Sequence, residues 1–320
     1  DEHNWDVWHG DMDFEHYRDS VPRFASEFGY QSLSSPSVVR SFMGEGSLDL
    51  VSPLFRHHQK DCGGNDRIMR MISRYFKPPT EAEDVLYLSQ IQQAWAIKTG
   101  VECWRTSQPH CMGTLVWQLN DNWPVASWSS IEYGGRWKPM HYFLRRAFAP
   151  LTIQAVPGKR AVEVRSVNDG LAMKGRLTLE YWSFHGEIVK SENSEVSVGH
   201  GSCVLRELAD ISEIGEAENL FLVMRLEADG KTVANEFLFA RPKDCCLECA
   251  HVEWRDGCLY TDRPAFFVLA DSDDILPDNG FALLPGRPIR FPIQPTYWYN
   301  KAVDRSDDVS LPTTFSKRGS

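Results

Sequence analysis

The sequence predicts an α/β region followed by β-sandwiches, and three observations predict it. Tryptophan is unevenly spread, with positions 5, 8, 95, 104, 117, 123, 128 and 137 ahead of residue 150 and only 182, 254 and 298 behind it. Ahead of that point short apolar runs flank one long helical pattern; behind it the apolar period falls to two. With 320 residues there is room for about two domains, or three if some are small.

A short strand is expected over Arg23 to Gly29, running into a glycine turn. Between Pro79 and Cys103 the sequence reads as one helix. Thr80 would cap the Glu83 amide while Glu83 bonds back, and Leu88, Ile91, Trp95 and Lys98 recur on one inward face. A second strand follows over Gly113 to Leu119 and ends in polar Asn120-Asp121-Asn122. Strand, helix, strand is the order of a parallel α/β unit. A further helix is expected from Pro139 to Ala147, with Pro139 in its first turn and Pro150 stopping it.

From Leu151 onward alternation marks strands at Val162 and Val164, at Leu177, Leu179 and Tyr181, at Leu220, Leu222, Met224 and Leu226, and at Val233, Phe237 and Phe239. Asp229-Gly230 supplies a hairpin turn between the last two. These short strands predict a sandwich over 150–244. The pattern restarts after Arg241-Pro242-Lys243-Asp244, at Phe266 to Leu269, and predicts a second small sandwich over 245–320.

Composition excludes several classes of function. The net charge of −10 repels polyphosphate and anionic lipid, so nucleic acid is not an expected partner. The longest apolar run, Ala265 to Ala270, is strand-sized, and no membrane span is expected. Eight cysteines are too dilute for a disulfide framework and read as mostly reduced thiols. The sequence starts without Met or a visible leader, which leaves the compartment open and fits the back part of a longer protein.

Glu27 is the leading candidate for chemistry: a carboxylate at the C-terminal end of a parallel strand, just ahead of a glycine. Arg23 lies four residues upstream, and Trp117, Asn120, Asp121 and Trp123 cluster at the end of the other strand. Indole faces cover the C–H faces of a pyranose while amide and carboxylate groups take its hydroxyls, so this set points to a sugar. Read by itself, Glu27 also fits a salt-bridged structural residue, and Trp8 fits core packing. The thiols of Cys245-Cys246-Leu247-Glu248-Cys249 and Cys258 lack paired zinc knuckles and read as a linker. His57-His58 and Asp61 to Asp66 read as a solvated loop, and Asp271 to Asp274 as an acidic surface turn.

Tyr17-Arg18 and Arg23 to Ser32 together resemble the nucleophile segment of β-mannosidases in the second glycoside hydrolase family. Gly113 to Pro124, continued by Ser127 to Ser130 and Trp137 to Tyr142, is similar to the last barrel strand of those enzymes and the helix after it. Trp5 to Gly10 resembles the loop they place before the nucleophile strand. The resemblance implies the C-terminal portion of a (β/α)8 TIM barrel over 1–149, followed by two immunoglobulin-like β-sandwich domains. It further implies a retaining exo-β-mannosidase in which Glu27 is the nucleophile, Trp8, His9, Trp117, Asn120, Asp121 and Trp123 bind the sugar, and neither cofactor nor metal takes part. The expected partners are a β-mannoside or manno-oligosaccharide and the N-terminal part of the same enzyme. The family's acid/base is a Glu following an Asn on an earlier strand, and no Asn-Glu pair precedes Glu27, so the 320-residue chain alone is expected to be inactive. Two other readings stay open at this point: an exo-β-glucosaminidase of the same family, with Asp121 at the amine, and a non-catalytic carbohydrate-binding protein.

Overall fold

The computed structural model describes residues 1–301 apart from 45, 47, 159 and 160; the expectations placed on 302–320 lie outside the described residues. The chain is mostly β-sheet with few helices. Its first region holds a parallel sheet in the order β1 (Glu2–Asn4), β2 (Ala25–Phe28) and, further along the chain, β3 (Thr114–Val116). Between β2 and β3 run α1 (Pro36–Met43), α2 (Pro53–His57), α3 (Gly64–Tyr75) and α4 (Ala82–Thr106), and α5 (Pro139–Ala147) follows β3. No closed barrel stands among the described residues; the region is three parallel strands and their helices.

The long helix begins later than the sequence reading has it. Glu81 is its N-cap, with no side-chain cap, because Glu83 turns to the Arg40 guanidinium and accepts from the Tyr297 hydroxyl (3.3 Å) rather than closing a box with Thr80. Nor is it buried on one face only. Ser89, Gln90 and Gln93 are buried with Leu88 and Ile91, and they hold an irregular stretch of backbone: Gln93 donates to Tyr30 O (2.8 Å), and Ser89 Oγ accepts from Leu33 N (3.1 Å). Buried backbone without a ladder needs such partners. The Asp61 to Asp66 segment is no solvated loop. It leads into α3, and Asp61 is spent on Arg67 (2.7 Å) and Trp8 Nε1 (3.1 Å).

The alternating residues form two facing sheets. One has the order β10 (Lys231–Leu238), β9 (Leu220–Ala228), β6 (Met173–Ser183), β7 (Ile188–Val198); the other is β4 (Leu151–Pro157), β5 (Val162–Asn168), β8 (Gly201–Glu207). Leu151 and Ile153, Leu177 and Leu179, and Leu222 and Met224, each pair two positions apart on its strand, meet Val164 between the sheets. Asp229 (φ 49°) and Gly230 (φ 69°) turn the β9/β10 hairpin with Lys231 opposite Ala228.

Beyond residue 244 lie β11 (Val252–Arg255), β12 (Cys258–Thr261), β13 (Ala265–Val268), β14 (Phe281–Leu283) and β15 (Ile289–Arg290), in sheets β11-β12-β15 and β13-β14. Their core includes Leu259, Val268, Leu283 and Phe291, and it docks on α5, where Tyr142 OH accepts from Leu276 N (3.0 Å). The acidic turn lies at the surface, with Asp273 and Asp274 exposed, and Asp271 and Asp273 both accept from the Arg136 guanidinium.

Candidate active site

Parallel pairing sets His3 opposite Glu27, so the chain leaving β1 passes the end of β2. Trp5 then donates its indole N–H to Glu27 Oε1 (2.9 Å), and His3 Nδ1 lies 3.6 Å from the same oxygen. Both contacts fall on Oε1. Glu27 Oε2 has no partner among the described residues, and the side chain is 29% exposed. The carboxylate is thus held by one oxygen and open at the other.

Gly29 lets aromatic rings close around it. A Cβ there would stand 2.4 Å from Trp117 O and 2.9 Å from Trp5 Cη2, so any side chain would push both away. Trp128 meets Trp5 edge-to-face at 6.1 Å, and the exposed His9 ring lies 5.1 Å from Trp5. Trp117 leaves β3 with its N–H on Phe28 O (2.8 Å) and is 46% exposed.

The remaining sequence candidates divide. Asn120 is exposed, on the loop that continues from Trp117. Trp123 is half-buried beside His58 (5.1 Å) and His57 (5.9 Å), with His58 stacked on Phe42 (3.7 Å); the two histidines close α2 rather than a solvated loop. Trp8 does not face a sugar. It is fully buried, packed against Tyr30 (5.0 Å) and Trp128 (6.3 Å), and its N–H is used by Asp61, so it shapes the site only through those rings. Asp121 is also withdrawn. Its carboxylate is fully buried and accepts from Lys60 Nζ (2.7 Å), Ser127 Oγ (2.6 Å) and Ser129 Oγ, which leaves nothing for an amino sugar. Arg23 is exposed at the opposite end of the strand, about 13 Å from Glu27 at ~3.3 Å per residue.

Three residues near Glu27 escaped the sequence reading: His3, Trp5 and Trp128. Trp5 stands in the same run as Trp8 and His9, and residue type does not choose between two tryptophans three apart. Only the β1/β2 register does.

Among the described residues no three His, Cys, Asp or Glu side chains are grouped to hold a metal. Burial pushes the Cys245 thiol up to about 12, so it stays protonated. A cavity of about 960 Å³ lies away from Glu27, between α4 and the sandwich; Lys98, Glu102 and Asn235 in it are bonded to one another.

A family model described as a Mannosidase Ig/CBM-like domain matches residues 160–244, which assigns the sandwich an immunoglobulin-like fold. A β-mannosidase from Capra hircus is 38% identical over 186 residues, covering 52% of this chain and 21% of its own length. A crystal structure of a β-D-mannosidase from Dictyoglomus thermophilum superposes with a TM-score of 0.81 at 29% identity, over 93% of this chain and 38% of that one. An exo-chitosanase from Amycolatopsis orientalis shares the fold, with a TM-score of 0.63 at 16% identity over 87% of this chain and 41% of that one. The chain spans only about a fifth to a third of the length of the curated relatives it matches.

Proposed function

Starting from a chain similar to the C-terminal part of a β-mannosidase, we propose that it carries the nucleophile of a retaining exo-β-mannosidase of the second glycoside hydrolase family. On this reading residues 1–149 are the C-terminal part of a catalytic TIM barrel, 150–244 a sandwich, and 245–320 a second small immunoglobulin-like sandwich. The observation that carries it is Glu27: a carboxylate at the C-terminal end of a parallel strand, fixed through Oε1 by the Trp5 indole, open at Oε2 and walled by tryptophan.

Glu27 Oε2 attacks the anomeric carbon of a terminal β-mannoside as the bond to the leaving oxygen breaks, giving a glycosyl-enzyme. Water then releases mannose, and Glu27 returns to a carboxylate. The hydrogen bond from Trp5 holds Oε1 aside and orients Oε2 for attack. Trp117 and Trp123 offer ring faces to the sugar, and Asn120 and His9 offer hydrogen bonds. The leaving oxygen is protonated by a second carboxyl about 5 Å from the first, contributed by a strand of the barrel outside this sequence, so the 320-residue chain alone does not turn over. The chemistry needs no cofactor. The mannoside reading is preferred to the glucosaminide one because the carboxylate required at the amine, Asp121, is already spent on Lys60 and two serines.

Kinetics on an aryl β-mannoside test the reading. The intact enzyme is expected to turn over and its Glu27→Gln variant to fail; equal turnover by the two overturns the assignment of Glu27, and turnover by the purified 320-residue chain overturns the missing acid/base. A binding protein would keep its sugar affinity in Glu27→Gln and show no hydrolysis in either form.

A further inference from the structure

On the reading that Glu27 and the loop after β3 form a glycosidase site, we infer that Asp121 is a positioning residue for that loop: its buried carboxylate sets where Asn120 and Trp123 stand, and Lys60, on the segment after α2, holds it in place.

The loop leaves β3 and folds back on itself. Gln118 N donates to Trp128 O (3.2 Å), Ile131 N to Leu119 O (2.8 Å) and Asp121 N to Ile131 O (3.2 Å), so the outgoing and returning arms are joined as far as residue 121. At the other end His58 Nδ1 donates to Pro124 O (2.5 Å) and Ala126 N to His58 O (2.8 Å). Between these points the backbone of Asn122 and Trp123 makes no hydrogen bond to backbone among the described residues. Irregular chain offers a fixed sugar platform only where its groups are pinned, and the Asp121 carboxylate stands beside this gap.

That carboxylate has no exposed surface. Its Oδ2 accepts from Ser127 Oγ (2.6 Å) and Ser129 Oγ, both on the returning arm. Its Oδ1 accepts from Lys60 Nζ (2.7 Å) and from Gln118 Nε2 (3.5 Å), which also donates to Asn120 O (2.9 Å). One oxygen therefore closes the loop on itself, and the other ties it to the segment after α2. The same segment and the helix before it supply His58 and His57, the rings beside Trp123 at 5.1 and 5.9 Å, so Lys60 fixes the loop to the wall that Trp123 packs on. A neutral amide could not serve both sides. It has one acceptor oxygen, and its NH2 group would face either Lys60 or the two serine hydroxyls. Removing the carboxylate leaves Lys60, whose side chain is 24% exposed, with no other acceptor among the described residues. Its ammonium then regains partners only in water, by drawing away from the loop.

The test is steady-state kinetics of the intact enzyme on an aryl β-mannoside with Asp121→Ala, Lys60→Met and the double variant. Asp121→Ala is expected to raise KM about tenfold with kcat changed less than about threefold, since Glu27 and its bond from Trp5 are untouched. Simple loss of folded protein does the opposite, lowering the apparent kcat and leaving KM alone. Lys60→Met is expected to raise KM about fivefold, and the double variant to match Asp121→Ala within about twofold, because the ammonium acts only through Asp121. An unchanged KM in folded Asp121→Ala overturns the inference, and so does a rise of about fiftyfold in the double variant, the product that independent sites would give. Should Asp121→Ala not fold, Lys60→Met alone decides: a rise of about fivefold supports the clamp and no rise overturns it. Amide hydrogen exchange reads the clamp without activity. Exchange across 118–127 is expected to speed at least about tenfold in Asp121→Ala or Lys60→Met while 150–244 stays protected, and unchanged exchange overturns the inference whatever becomes of Glu27.

Discussion

In the sandwich, the inner faces of two sheets meet each other, and Ile153, Val164, Leu179 and Met224 bury themselves on residues of the same 95-residue stretch. In the region before it, β1 and β3 each pair on one side only, and around the β3 edge Leu115 and Leu119 stand 56% and 61% exposed beside Trp117. A sandwich hides its apolar faces without help; a parallel sheet needs further strands or a cover along its edges. On the proposed reading the chemistry sits on the second kind of sheet. Glu27 lies on the central strand, and on the proposed reading the strands that complete the barrel also bring the second carboxyl.

The strongest way to separate the two regions is to alter one residue in each. Glu27→Gln is expected to lower kcat of the intact enzyme by roughly 10⁴-fold or more while leaving the unfolding temperature near that of the parent, as loss of a covalent step with retained packing requires. Leu226→Ala in the sandwich is expected to do the reverse. It costs about 2–5 kcal/mol of stability, read by denaturant unfolding, with KM unchanged wherever the protein remains folded. A change in KM there would show that the sandwich reaches the site and would erase the distinction.

Trp5→Phe sharpens the comparison within the site. It keeps a ring beside Trp128 but removes the donor to Glu27 Oε1, and kcat/KM is expected to fall about tenfold, close to the worth of one hydrogen bond to a charged group.

The smallest effect is at the junction of the two regions, where Arg241 bonds Asp13 (2.6 Å) and lies over Tyr75 (4.6 Å). Burial raises the Asp13 carboxyl, and the Arg241 and Arg74 guanidiniums more than offset it, holding it below the ordinary aspartate range. A depressed carboxylate stabilises above the unfolded value near pH 4 and loses that contribution as pH falls through the lower folded value. Asp13 is partly exposed, so Asp13→Asn is expected to cost less than about 1 kcal/mol at neutral pH and to flatten the acid limb of the stability curve.

The sandwich was legible through β5, β6, β9 and β10, where apolar residues recur two apart, and Asp229-Gly230 fixes a hairpin locally; β4, β7 and β8 were not read, and β4 is buried on both sides for five residues running. The short helices α1 and α2 were not legible, since tertiary packing rather than a long periodic face holds them; α3 does repeat Ile68, Met71, Ile72 and Tyr75 on one buried face, but its first turn lies in the polar Asp61 to Asp66 run that reads as a loop. Glu27 could be picked out from its place before Gly29. Its partner could not, since the Trp5 bond joins residues 22 apart across a parallel pair. The same holds for Asp121, whose sequence neighbours suggest a sugar contact and whose fate is decided by Lys60, 61 residues away. Local pattern writes the scaffold; long-range pairing writes the site.

The most direct test of the central claim is covalent trapping. An activated 2-deoxy-2-fluoro mannoside slows release of the glycosyl-enzyme, and peptide mass mapping then locates the sugar. The account predicts a single label on the peptide containing Glu27, lost in Glu27→Gln. A label on another carboxylate, or inactivation that leaves this peptide unmodified, would contradict it.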